Sequence, residues 1–208
     1  MADMHLDRFE IRLSGLGGQG ILTLGKVMGS GLSLGHSYFV TQTQSYGPEA
    51  RGGASRSDLV VSSSVISYPK AESLDLLIAL SQEACNMYYR NLKPGGLLMI
   101  ETDLVKQPPV NQFIGLPFTR LAKEKIGLAQ TMNTIVLGAA TYLLPFAQQR
   151  VMRKNLEDVL PAKIREINVK AFNLGYREAK KNFGDIEELW KSSSVVVVSE
   201  DEDNYDSI

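Results

Sequence analysis

The stretch Phe9-Glu10-Ile11-Arg12-Leu13-Ser14-Gly15-Leu16-Gly17-Gly18-Gln19-Gly20-Ile21 decides the fold class. Residues 9–13 alternate apolar and polar side chains, the period of a strand. Four glycines follow within six residues. Ile21, Leu24, Met28 and Leu32 then recur at helical spacing. A strand, a glycine-rich turn and a helix form a phosphate-site layout. Glycine lets backbone approach a ligand, and the helix start offers unbonded N–H groups and partial positive charge.

Gly15, Gly17 and Gly20 satisfy the G-x-G-x-x-G spacing, with Gly18 extra. A dinucleotide site would also need an acidic residue about twenty positions on, at the end of a second strand. The corresponding residues are Tyr38-Phe39-Val40-Thr41-Gln42, without a carboxylate. A nicotinamide or flavin cofactor is therefore disfavoured, and a tight strand-to-helix turn with no ligand is the bare alternative.

Outward from this unit, residues 37–41 read as a second strand and 42–53 as a long polar loop. Residues 56–62 and 65–67, around Ser63-Ser64, read as a hairpin. Residues 74–80 and 97–101 are apolar runs, as in strands covered on both faces. Residues 81–92 form a helix stopped by Pro94-Gly95-Gly96, and 111–116 a weak strand bracketed by prolines. The last third is helical: a helix capped by Asn133 and ended by Pro145, then helices at 155–164 and 168–182. The expected fold is α/β, a three-layer Rossmann-like domain with a largely parallel sheet, one hairpin and a helical C-terminal third. Residues 1–184 are expected to form the domain and 185–208 an acidic, flexible tail.

Composition narrows the function. Of 208 residues, 22 are basic and 23 acidic, and five of the acids fall in the last nine positions. The rest holds 22 bases against 18 acids, and nothing in this balance calls for nucleic acid or a membrane surface. Residues 1–10 lack the apolar stretch of a secretory signal, and no apolar run is long enough to span a bilayer, so a cytoplasmic location is expected. Cys85 is the single cysteine, and His5 and His36 the only histidines. One thiol cannot hold an iron–sulfur cluster alone, and no metal site is expected. Cys85 and His36 read as structural.

The second polar stretch is the more informative: Gln44-Ser45-Tyr46-Gly47-Pro48-Glu49-Ala50-Arg51-Gly52-Gly53. Arg51 offers a planar fork suited to phosphate or carboxylate. Gly52 and Gly53 expose backbone N–H groups. Tyr46 can stack or hydrogen-bond, and Glu49 can orient Arg51. Loops this long are more often functional than inert. The candidate binding set is Gly15, Gly17, Gly18, Gln19, Gly20, Gln44, Ser45, Tyr46, Gly47, Glu49, Arg51, Gly52 and Gly53. No catalytic set accompanies it, which points to a subunit.

At these two loops the chain resembles the gamma subunit, or the equivalent domain of fused forms, of the 2-oxoacid:ferredoxin oxidoreductases. The matching stretches are Gly15-Leu16-Gly17-Gly18-Gln19-Gly20-Ile21, Gln44 through Gly53, and Ser67-Tyr68-Pro69 into Asp75; residues 133–138 look like the family's later helix start. The resemblance covers roughly residues 9–181, and the second stretch looks most like the 2-oxoglutarate enzymes. It implies oxidative decarboxylation of a 2-oxoacid to an acyl-coenzyme A, with electrons passed to ferredoxin. Coenzyme A binding and assembly would fall to this chain. Thiamine diphosphate, magnesium and iron–sulfur clusters would lie on partners: alpha and beta subunits, with a ferredoxin-like delta subunit as a further candidate. The alternatives are a free-standing nucleotide-binding reductase or sensor, and a purely structural assembly subunit.

Overall fold

The structure, a computed structural model, describes residues 5–45, 54–110 and 112–191. Its centre is a six-stranded sheet in the order β2-β3-β1-β4-β5-β6. The strands are β1 (Phe9–Leu16), β2 (Phe39–Ser45), β3 (Ala54–Ser62), β4 (Leu74–Ala79), β5 (Leu92–Glu101) and β6 (Ile114–Leu116). β1, β4, β5 and β6 run parallel. β3 lies antiparallel between β1 and β2.

One face of the sheet carries most of the helices. α1 (Ile21–Ser30) continues through a π turn, Gly31–Gly35. α3 (Phe118–Leu121), α4 (Met132–Leu143), α5 (Gln149–Val159), α6 (Ala162–Asn182) and α7 (Ile186–Trp190) complete this layer. Phe9, Ile11 and Leu13 of β1 meet Leu24 and Met28 of α1 and Phe172 of α6 in the main core. The opposite face carries α2 (Gln82–Tyr88), whose Cys85 and Tyr88 cover Val60, Leu77 and Ala79. The three-layer α/β architecture expected from the sequence is present.

Several local expectations are corrected. The hairpin is β2–β3, joined across 46–53, and not a pair around Ser63-Ser64. Gln42 through Ser45, expected in a loop, are strand residues, with Gln42 donating to the Ser57 hydroxyl at 2.8 Å. The break between the last long helices falls at Pro161, not after Ile164. Proline disfavours helical backbone at the residue before it, so α5 ends and α6 begins there. Asn133 lies inside the first turn of α4, and Thr131 holds the cap position.

Asp185 through Trp190, assigned to the tail by composition, pack on the domain. Asp185 caps α7 by accepting from Glu187 N–H at 2.8 Å. Trp190 is buried, donates to the Leu143 carbonyl at 2.9 Å and meets the Phe9 ring edge-on. Residues 192–208 lie outside the described residues.

The polar positions of β1 are also buried. Arg12 forks onto Asp58 with contacts of 2.7 and 2.8 Å, and also donates to Asn91 and to the Ala71 carbonyl. Glu10 accepts from the N–H groups of Glu72 and Ser73, while Arg8 donates to the carbonyls of Tyr68 and Lys70. The segment from Tyr68 to Ser73 is thus anchored by Arg8, Glu10 and Arg12.

Candidate functional site

The β1–β3 register brings the first glycine-rich loop beside the start of β3. Gly15 and Leu16, at the end of β1, pair with Ser55 and Ala54, the first residues of β3. Ser45, at the end of β2, pairs with Arg56. The turn at 17–20 therefore leaves the same end of the sheet at which β2 ends and β3 begins. Of the candidate set, Gly15, Gly17, Gly18, Gln19, Gly20, Gln44 and Ser45 are gathered there. Tyr46, Gly47, Glu49, Arg51, Gly52 and Gly53 lie outside the described residues.

This end is also where the chain changes face. α1 leaves β1 towards the main core, and α2 leaves β4 towards the other. Such a divergence opens a crevice at the carboxyl ends of parallel strands, the usual ligand position in doubly wound folds.

Each glycine of the first loop has its own reason. A side chain at Gly15 would strike the Gln19 amide, and one at Gly20 the Asn133 amide. Gly18 and Gly20 hold φ of +89° and +73°, a region costly for residues with Cβ. Gly17 has neither constraint: it is exposed, its φ is ordinary, and a Cβ there would meet nothing within 4 Å. The backbone at 17–18 is thus open to approach. α1 starts at Ile21 with no side-chain cap and no acidic residue in its first turn, leaving its N–H groups oriented for an anion.

Gln19 has a different role from the one its place in the motif implies. Its Oε1 accepts from Leu16 N–H at 2.7 Å, and its Nε2 donates to the Leu80 carbonyl at 3.0 Å. Both ends of the amide are engaged by backbone, so Gln19 shapes the loop. Leu80 N–H in turn donates to the Ser14 carbonyl at 2.8 Å.

Two neighbours escaped the sequence reading. Asn133, read as a cap, instead packs against Gly20 and lines an apolar cavity of about 200 Å³ beside α1, with Leu24, Val27, Leu137, Leu156 and Ile164. Arg56 lies opposite Ser14 and Ser45, one-third exposed, 3.5 Å from Asp58 and over the Tyr88 ring. The strand alternation from Arg56 to Asp58 was its only available signal.

Three other titratable groups, Cys85, Glu101 and His36, are held within the fold. Burial pushes the Cys85 thiol up to about 11, far from a reactive thiolate. Burial also raises the Glu101 carboxyl, against the lowering effect of donors from Asp103 and Thr119. His36 accepts from Gln148 N–H at Nε2, while Nδ1 faces the Gly31 carbonyl at 3.0 Å. Among the described residues, no three His, Cys, Asp or Glu side chains gather as a metal site, and no helix is long and apolar enough to cross a membrane.

Comparison with known proteins agrees with this geometry. The family model described as pyruvate ferredoxin/flavodoxin oxidoreductase matches residues 10–178. The 2-oxoglutarate synthase subunit KorC of Methanocaldococcus jannaschii is 43% identical over 178 residues, covering 84% of this chain and 95% of the relative. The subunit of the same name from Methanothermobacter thermautotrophicus is 39% identical over 176 residues, covering 81% and 93%. The crystal structure of the keto/oxoacid ferredoxin oxidoreductase gamma subunit from Geobacter sulfurreducens superposes with a TM-score of 0.74. It is 36% identical, and the match covers 82% of this chain and 98% of that one.

Proposed function

The chain belongs to the pyruvate ferredoxin/flavodoxin oxidoreductase family, and on that premise we propose that it is the gamma subunit of a 2-oxoglutarate:ferredoxin oxidoreductase. The proposed complex oxidatively decarboxylates 2-oxoglutarate to its acyl-coenzyme A and carbon dioxide, and two electrons pass to ferredoxin. This chain contributes coenzyme A binding and assembly. The cytoplasm is the proposed location.

One observation carries the binding role: the first glycine-rich turn leaves the sheet at the end where β2 stops and β3 starts, where the chain changes face, next to an uncapped helix start. The open backbone at Gly17 and Gly18 and the N–H groups of α1 suit a phosphate. Arg51, from the second loop, is proposed to add a guanidinium to the same phosphates. The dinucleotide alternative loses its geometry as well as its carboxylate. The strand beside β1 on the hairpin side is β3, running antiparallel, so β2 does not end next to the glycine loop as a ribose-binding strand would.

The redox chemistry is proposed to lie with the alpha and beta subunits and a ferredoxin-like delta subunit. Thiamine diphosphate with magnesium would supply the electron sink for decarboxylation, and iron–sulfur clusters the route for electrons. Cys85, the single cysteine, is buried in the α2 layer and is no cluster ligand set.

The test is the KM for coenzyme A of the assembled complex carrying Gly17→Val. The side chain enters open space at ordinary φ, so folding is preserved while approach to the backbone is blocked. The expected outcome is a KM raised about tenfold or more, equivalent to about 1.4 kcal/mol of lost binding. An unchanged KM favours the purely structural subunit. Arg51→Ala is expected to weaken binding by about 1.5–3 kcal/mol, with incomplete rescue by lysine because the fork is lost.

A further inference from the structure

The apolar cavity beside α1 shares a wall with the glycine turn. Asn133 packs against Gly20, the residue before the first turn of α1, and also lines the cavity. The volume is about 200 Å³. A pocket for a whole drug-sized ligand takes roughly 300–1,000 Å³, so this one suits a fragment such as a fused ring pair. Buried Leu24, Leu137 and Leu156 form its walls, with exposed Ile164 at the mouth. No lining residue is charged. Two amides on the lining have hydrogen-bonding capacity to spare. Exposed Gln130 makes no side-chain hydrogen bond among the described residues, and Asn133 has only a long one, accepting from Thr134 at 3.4 Å. The third lining amide, Asn168, is engaged: it accepts from Thr134 at 2.7 Å and donates to the Ile164 carbonyl at 2.8 Å.

We propose that this cavity takes the adenine ring of coenzyme A, whose phosphates lie on the glycine turn and the start of α1. The inference rests on the coenzyme A reading and adds a subsite to it. The parts of the coenzyme differ in fit. Phosphates would lose their hydration in an uncharged apolar cavity with nothing to replace it. The pantetheine arm carries the reacting thiol and has to leave towards the subunits proposed to hold thiamine diphosphate. The adenine is neutral, flat and apolar on both faces, so leucine and isoleucine walls cover it. A side-chain amide matches the paired donor and acceptor on its edge. Gln130 and Asn133 supply such amides, and Asn133 joins the base site to the phosphate site through its contact with Gly20.

The test is competition against coenzyme A in the assembled complex, with adenosine 3′,5′-bisphosphate and inorganic pyrophosphate as inhibitors. Ile164→Trp places an indole at the cavity mouth from an exposed position, so the melting temperature is expected to stay unchanged. It is expected to raise the inhibition constant of the bisphosphate about tenfold or more and to spare that of pyrophosphate. Gln130→Ala breaks no side-chain hydrogen bond among the described residues. It is expected to raise the bisphosphate constant about threefold or more, again sparing pyrophosphate. An unchanged bisphosphate constant in Ile164→Trp, or an equal rise for both inhibitors, overturns the proposal. So does a bisphosphate that fails to compete in the wild-type complex. Weaker assembly of Ile164→Trp with the bisphosphate constant unchanged would mark the cavity as a socket for a partner side chain, and also overturns it. Gly17→Val separates the two readings: it is expected to weaken both inhibitors, and failure to do so counts against the phosphate site while the Ile164→Trp result still decides the cavity.

Discussion

Gln19 donates from Nε2 to the Leu80 carbonyl at 3.0 Å and so ties the glycine loop after β1 to the end of β4. The same amide accepts from Leu16 N–H. Gln19→Ala removes both bonds and leaves two backbone groups to find water. The expected cost is about 1–3 kcal/mol in urea unfolding, with coenzyme A affinity lowered because the loop loses its brace. Unchanged stability and affinity would show that the brace is idle.

Gly138 and Gly175 are expected to be the least replaceable glycines. A Cβ at Gly138 would strike the Phe172 carbonyl, and one at Gly175 the Ile135 carbonyl, so α4 and α6 touch backbone to backbone. Gly138→Ala is expected to destabilise by about 1–3 kcal/mol or more, since neither helix can yield locally. Gly17→Ala, with nothing within 4 Å, is expected to leave the melting temperature nearly unchanged. Equal melting temperatures for the two variants would contradict this contrast.

The buried Arg12–Asp58 pair makes a prediction about non-additivity. Arg12→Met leaves the buried Asp58 carboxylate to the partly exposed Arg56, 3.5 Å away, whereas Asp58→Leu strands the Arg12 guanidinium; the second is expected to cost about 3–5 kcal/mol and the first less. The double replacement is expected to cost less than the sum of the two. A double-mutant cycle in chemical denaturant measures this, and strict additivity would mean the two groups do not interact.

These residues also show what the sequence could and could not reveal. Polar positions alternating in β1 look solvent-facing, yet Glu10 and Arg12 are buried because their side-chain partners come from 46 to 79 residues away, in Asp58, the segment before β4 and Asn91. The Rossmann-like layout was legible because its apolar periodicities and glycine turn are local. The hairpin was misplaced because Ser63-Ser64 resembles a turn, while the Thr and Gln residues of β2 gain strand structure only from pairing with β3. Trp190 was lost in an acidic tail because composition hides a single anchoring side chain. For the site, the glycines of the first loop were readable as a unit. The division of labour among them was not, because Gln19 and Asn133 meet Gly15 and Gly20 only in three dimensions.

Cys85 sets an alkaline limit on stability. Burial raises its thiol to about 11, above the ordinary thiol value of about 9. The folded chain therefore keeps a proton that the unfolded chain has lost, so its contribution is complete below pH about 9 and disappears as pH rises through about 11. Cys85→Ala is expected to flatten this part of the stability curve, measured by urea unfolding from pH 8 to pH 11. In the native protein the thiol is expected to resist a disulfide reagent at pH 8 until denaturant is added. Fast labelling without denaturant would contradict its burial.

The chain is proposed to complete an oxidoreductase without performing its chemistry. The direct measurement is viologen dye reduction with 2-oxoglutarate and coenzyme A, by the chain alone, by the other subunits without it, and by the two recombined. No turnover is expected from the chain alone, little from the incomplete complex, and full activity on recombination. Dye reduction by the lone chain, with contaminating subunits excluded by mass spectrometry, or full activity in its absence, would contradict the proposal.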